Sequence, residues 1–398
     1  HGRFAGPLCR YRMSASPNHT PTSARRKPPL VKSSAIFFGL TNLAAVTVVP
    51  YWGIVHGYST AAWVAAAVLL TLGGMSITTG YHRLWSHRTF KAAWPVRLVL
   101  AFFGGMALQN SIYVWAARHR IHHRHVDDVE RDPHSIRTGF WHAHIGWMLR
   151  HWPTSEVDFS QVRDLEKDPI VMWQHRLYWP LVWTSNLGIP LLLGWITGDW
   201  MGMLLLAGVL RLVASHHFTF FINSLAHTWG RRPYSEDNTA VDNGAIALLT
   251  WGEGYHNYHH AFQADYRNGI RWWQYDPSKW LINVLAWCGL ATDRKRVPSF
   301  RIRRARLMIE FARLQQRIEQ GVPVTWRERL DQELGQFRDT IGQWQAVQRR
   351  RVEAGADALK DRWSRTEMHT RVKELEYRLK MQQKRLRALT RSLEPQAA

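Results

Sequence analysis

Two cysteines in 398 residues, Cys9 and Cys288, are too few for a disulfide framework and too far apart for a CxxC metal or redox site. The chain also has no HPGG haem motif, no ferredoxin-type cysteine cluster and no GxGxxG fingerprint. Charge is missing as well, though only locally. No Lys, Arg, Asp or Glu lies between Lys32 and Arg83, and only Asp199 and Arg211 interrupt the stretch from Leu177 to Trp229. Each gap is long enough for two helices of about 20 apolar residues, the length that crosses a bilayer. The expected spans are 36–55, 60–80, 178–197 and 201–222, two hairpins that turn near 56–60 and 197–200.

Acidic residues are absent from 1–32, which holds seven Lys and Arg, whereas 291–398 holds 26 basic and 14 acidic residues. Most of the formal net charge of +22 therefore sits at the two ends. Basic ends flanking membrane hairpins belong on the cytoplasmic side. Anionic membrane lipids account for such ends more simply than nucleic acid, which is not an expected partner. Residues 1–32 read as a disordered basic arm, and their opening HGRFAGPLCRYR lacks the apolar stretch of a signal peptide. The 291–398 tail reads as basic amphipathic helices, solvated, lying on the membrane surface or forming a short coiled coil.

The segment 98–117 is also uncharged and long enough to cross. The histidines decide against it. His82 and His87 in HRLWSH follow the second span, and His119, His122 and His123 in HRIHHR follow this segment, so a crossing would separate the two clusters. For them to share a site, 98–117 must not span, and Gln109, Asn110 and Ser111 suit a place away from the bilayer centre. Four spans with both ends inside then agree with the charge.

Side chains three and four apart share a helix face. His119, His122 and His123 have that spacing, and His256, His259 and His260 in GEGYHNYHHAF repeat it. His82 and His87, five apart, fit one face less well. Asn223 and His227, four apart in NSLAHTWG, add an amide and an imidazole at the end of the fourth span. Nine imidazoles exceed what one ion takes, since zinc usually binds four ligands. Two metals fit better, and imidazole suits iron, zinc, copper or nickel. His125, His134, His142, His144, His151, His175, His216 and His217 are expected to be ordinary packing residues. Asp127, Asp128, Asp132 and Glu253 are the nearest acidic candidates for fixing imidazole tautomers.

The stretches GYHRLWSHRTFKA, WAARHRIHHRHVDDVERDPHS, NSLAHTWGRRPY and WGEGYHNYHHAFQADYR resemble the histidine boxes of the integral-membrane fatty acyl desaturases. The stearoyl-CoA, delta-9 branch in its bacterial form is the nearest, and the resemblance covers residues 35–290. It implies an all-α protein of the bacterial inner membrane, with four transmembrane helices beneath a cytosolic helical cap formed by 81–176 and 223–290. It implies that His82, His87, His119, His122, His123, His227, His256, His259 and His260 ligate two irons, and that Asn223 holds a metal-bound water. The implied reaction inserts a cis-delta-9 double bond into a saturated acyl-CoA, with O2 as co-substrate. Asn110 and Trp115 would lie along the headgroup or tunnel path, while Arg118, Arg150 and Arg176 are candidates to meet phosphates, whether of CoA, of a phospholipid-linked substrate or of the membrane itself. The acyl-CoA members carry an Arg-Asp pair before the second box and an Arg-Lys pair after GW, where this chain has Ala117 and Arg118, then RHWP at 150–153. A phospholipid-linked acyl chain therefore stays open as substrate, as does hydroxylation as outcome, because the oxidant is shared. With no electron-carrier motif in the chain, an external ferredoxin or NAD(P)H-dependent reductase is implied.

Overall fold

The computed structural model describes residues 27–319, 324–353 and 362–392, and within them the chain is mostly helical. Lys32–Val55, Thr60–Ser86 and Trp200–His227 are long and apolar enough to cross a membrane. The first turns Ile36, Leu40, Leu43, Val46 and Ile54 outward, while the second buries Ala62, Ala66, Gly73 and Gly74. Small residues let helices approach closely where lipid supplies no hydrophobic drive between them. Leu69, Met106, Met203, Leu205 and Leu206 fill the space between these helices. Residues 178–197 are helical throughout. Trp179, Trp183, Asn186, Pro180 and Pro190 dilute their apolar character, and this expected span is not one of the three.

The uncharged run 98–117 is broken. Trp94–Met106 stops after 13 residues, about 20 Å at 1.5 Å per residue, short of the roughly 30 Å hydrocarbon core. Leu108 and Asn110 then take positive φ angles of 53° and 75°. Ile112–Arg124 starts afresh, with the Ser111 hydroxyl accepting from Val114 N. A helix that ends among other helices leaves its last carbonyls in need of donors. Arg211 Nη1 donates to Met106 O at 3.2 Å, and His216 Nε2 lies 3.1 Å from Ala107 O, both side chains coming from the Trp200–His227 helix. Arg211 Nη2 also donates to Asn186 Oδ1 at 2.9 Å. The one basic residue in the second apolar block is thus a cap for the helix that stops short.

Ile77, Tyr81, Leu84, Trp85 and Leu100 share a core with Ile112, Tyr113, Ala116 and Ala117, which sets the end of the second long helix beside Ile112–Arg124. Lys91–Ala92 pairs antiparallel with Ala291–Thr292, Lys91 opposite Thr292, and ties the exit of that helix to the far end of the histidine-rich region. Beyond it, Ser299–Glu319, Val324–Glu353 and Arg362–Ser392 bury Phe300, Leu307, Phe311, Phe337, Leu375 and Leu379 against one another. The amphipathic faces of the tail therefore find partners in the tail itself. The expectation of a disordered arm over 1–32 falls, for 1–26, outside the described residues. Nearer the first helix the chain is tied down: Val31 N donates to Leu149 O at 2.9 Å, and His151 N to Pro29 O at 3.0 Å.

Candidate metal centre

Ser76–Ser86 is wound as a π-helix, and His87 N donates to His82 O at 3.0 Å. Hydrogen bonds from i to i+5 put residues five apart on one face. The spacing that suits an α-helix poorly therefore brings His82 and His87 together, with ring centroids 4.8 Å apart. Arg120 holds this end of the helix by donating to Trp85 O and Ser86 O, both at 2.9 Å, and in two bonds to Asp164.

All nine box histidines converge, in two groups. His82, His87, His119, His123 and His259 form one, and His122, His227, His256 and His260 the other; within each, the candidate ligand atoms lie no more than 4.8 Å apart. Each H-x2-HH box is divided between them. Its i, i+4 pair faces one group, and its remaining histidine faces the other. Nε2 atoms meet at 2.9 Å between His82 and His259, 2.8 Å between His87 and His119, and 3.0 Å between His256 and His260. The GEG of the last box is steric in origin. A Cβ on Gly254 would stand 2.2 Å from Ala247 N, and Gly252 has φ +98° with Asp276 against it.

Three of the outward-facing nitrogens find acceptors, whereas His256 Nδ1 is buried without a partner among the described residues. His82 Nδ1 lies 2.8 Å from Glu253 Oε2, and His122 Nδ1 lies 2.9 Å from Asp132 Oδ1. His227 Nδ1 lies 2.8 Å from Thr239 Oγ1, whose hydroxyl donates to Asp127 Oδ1 at 2.7 Å. Each contact keeps a proton on Nδ1 and leaves Nε2 free to donate its lone pair. Glu253 is itself held by buried Arg83, which also pairs with Asp276. Burial first, then neighbouring imidazoles and other cations, holds His87, His119, His123, His256, His259 and His260 well below the ordinary histidine range. Burial would raise Asp132 and Glu253, but the histidines and Arg83 beside them outweigh it and keep both carboxylates ionised.

The donor set fits a pair of imidazole-binding metal ions. His227 Nε2 is buried without a hydrogen-bond partner among the described residues, an expensive state unless something else occupies its lone pair. Three of the four proposed acidic supports lie where a tautomer needs fixing. Asp128 is the exception: it accepts from Glu130 N and faces Arg131 at the surface. Asn223 ends the Arg211–Asn223 helix, four residues before His227. Trp115 stacks on His119 with centroids 4.7 Å apart. Arg118 lies over Trp147 and donates to Ser155 O, Arg150 donates to Pro28 O, and exposed Asn110 donates its backbone N–H to the Tyr178 hydroxyl. His134, read from sequence as a packing residue, stands 4.3 Å from the His122 ring and groups with His122 and Asp132. Thr239, Arg120 and Asn257 went unnoticed in the sequence; a polar residue between ligands, as in HNYHH, was the one available sign of Asn257.

A family model described as fatty acid desaturase matches residues 58–284. A probable acyl-CoA desaturase of Schizosaccharomyces pombe is 41% identical over 270 residues, 68% of this chain and 55% of the relative. Acyl-CoA desaturase 1 of Saccharomyces cerevisiae is 43% identical over 240 residues, 60% and 47% of the two chains. Stearoyl-CoA desaturase 5 of Bos taurus is 38% identical over 239 residues, 59% and 70%. The chain thus spans about half the length of the two yeast relatives. With a matching family model over more than half its length and relatives of this identity, the chain belongs to the fatty acid desaturase family.

Proposed function

We propose that this protein desaturates a fatty acyl chain with O2, inserting a cis-delta-9 double bond into a saturated acyl-CoA at a di-iron centre held by the nine box histidines. The observation that carries the reading is the division of nine clustered imidazoles into groups of five and four on a helical scaffold with membrane-length spans. The acyl thioester is suggested by the names of the relatives. An unactivated methylene is beyond any side-chain acid or base, and bound iron supplies the oxidising power. The chain orients the imidazoles through Glu253, Asp132, Thr239 and Asp127. Asn223 would position a metal-bound water, Trp115 would wall the acyl path beside His119, and Asn110, Arg118 and Arg150 would lie toward the headgroup. Converting CH2–CH2 to CH=CH with reduction of O2 to two waters consumes two electrons and two protons, so a ferredoxin or NAD(P)H-dependent reductase must supply the electrons.

In this reading 178–197 crosses the bilayer as a fourth span, with Leu187, Leu192 and Ile196 exposed to lipid. Residues 33–290 form the desaturase domain, 81–176 and 223–290 its cytosolic cap, and 291–398 an appended helical unit, with both termini in the cytoplasm. Expression in a desaturase-deficient host, followed by double-bond mapping, tests the function. A cis bond at carbon 9 is expected, lost in His259→Ala while the protein still inserts. Hydroxylated chains without new double bonds would overturn it.

A further inference from the structure

The Ser299–Glu319 helix lies beyond the segment that matches the family, yet it packs on the last histidine box. Val297 and Ile302 share a buried cluster with Tyr234, Tyr255, Tyr258 and Phe262. Arg306 donates to the Tyr234 hydroxyl and lies over the Tyr234 ring, 4.7 Å from its centroid. From Tyr234 one route leads inward and branches at Asn257. Its backbone N donates to Asn257 Oδ1 at 2.9 Å, and Asn257, fully buried between His256 and His259, donates onward to Ser235 O and Ala240 O at 2.8 and 3.0 Å. Those two carbonyls bracket the loop that carries Thr239, and Thr239 bridges His227 Nδ1 to Asp127.

We propose that this C-terminal helix is a positioning element for one half of the metal centre: Arg306 and Tyr234 fix the 234–240 loop, and Thr239 in that loop orients His227 in the four-histidine group. The inference rests on the dimetal reading and adds an asymmetry to it. The five-histidine group takes its support from Glu253, Arg83 and Arg120, none of which shares a hydrogen bond or ion pair with the tail helices among the described residues. Removing the Arg306–Tyr234 contact alone should therefore loosen the metal of the four-histidine group, while the Val297 and Ile302 packing against Tyr255, Tyr258 and Phe262, which also backs His259, stays in place. Partners of this kind, one step behind a ligand, typically change metal affinity by about 10–100-fold.

The experiment loads the full-length chain in detergent with Co(II) or Fe(II) and titrates it with a chelator, reading metal per chain and the Co(II) spectrum. Wild type is expected to hold two ions. Arg306→Ala and the near-isosteric Thr239→Val are each expected to lose one of them at about 10–100-fold lower chelator concentration, with the bands of the other ion unchanged. Arg306→Lys, which keeps a cation over Tyr234, should restore most of the loss. Both variants holding two ions at wild-type affinity, or both ions weakening equally, would overturn the inference and leave the dimetal reading standing. A wild-type chain that binds no metal removes that reading and the inference together. Should Arg306→Ala fail to insert, Thr239→Val decides.

Discussion

A metal-binding imidazole must be neutral, and here burial enforces that before any metal arrives. His87, His119, His123, His256, His259 and His260 titrate far below 6.5 in the fold, chiefly because water is excluded from them. In the unfolded chain each returns to about 6.5. Below that value the unfolded state binds protons that the folded state refuses, so stability is present at pH 7 and above and falls on acidification. The loss is up to about 1.4 kcal/mol per histidine per pH unit. The thermal midpoint of the metal-free protein is expected to drop steeply between pH 6.5 and 5 and to change little between 7 and 8. Bound metal should move the drop to lower pH, and a flat profile through pH 5 would refute the burial argument. Histidine spacing made the clustering of the nine imidazoles legible in the sequence. Thr239 was not legible, because it sits 12 residues from His227 and 112 from Asp127 with no periodic pattern to mark it.

At the scale of elements, the sequence located the helices better than it described their winding or their ends. His82 and His87 looked mismatched because α-helical geometry was assumed, and only the π-winding of Ser76–Ser86 reconciles them. The interruption of 98–117 followed from the need to unite two clusters, but its physical cause lies in side chains far along the chain. Arg211 and His216 reach back more than 100 residues to the carbonyls of Met106 and Ala107. The tail's amphipathic period was visible, whereas the partner for its apolar face was not, since a surface belt and a mutual core require the same pattern. Arg211→Lys tests the capping role. An ammonium keeps the charge but cannot span Met106 O, Ala207 O and Asn186 Oδ1 with the guanidinium's planar fork. One unsatisfied buried acceptor costs about 1–3 kcal/mol, so thermal unfolding should show a loss of that size; wild-type stability would remove Arg211 as the cap.

At the scale of the molecule, the metal centre and the topology are one problem. The nine histidines come from the end of Thr60–Ser86, from Ile112–Arg124, from the end of Trp200–His227 and from the short His256–Ala261 helix. They can converge only if all four places lie on the same side of the membrane. In the proposed reading Trp94–Met106 enters without crossing, 178–197 crosses completely, and the shared side is the cytoplasm, where the positive-inside rule would place the basic ends. Single cysteines in a background with Cys9 and Cys288 replaced by Ser separate the possibilities. His56→Cys and Thr197→Cys, exposed at the two expected outer turns, should react with a membrane-impermeant thiol reagent on intact cells. Lys91→Cys and Val129→Cys, exposed just before Trp94–Met106 and just after Ile112–Arg124, should react only after permeabilisation. Protection of Thr197→Cys would deny the fourth span. Outside labelling of Val129→Cys with Lys91→Cys protected would put a crossing between His87 and His119, whose Nε2 atoms lie 2.8 Å apart, and no single metal centre could then contain both.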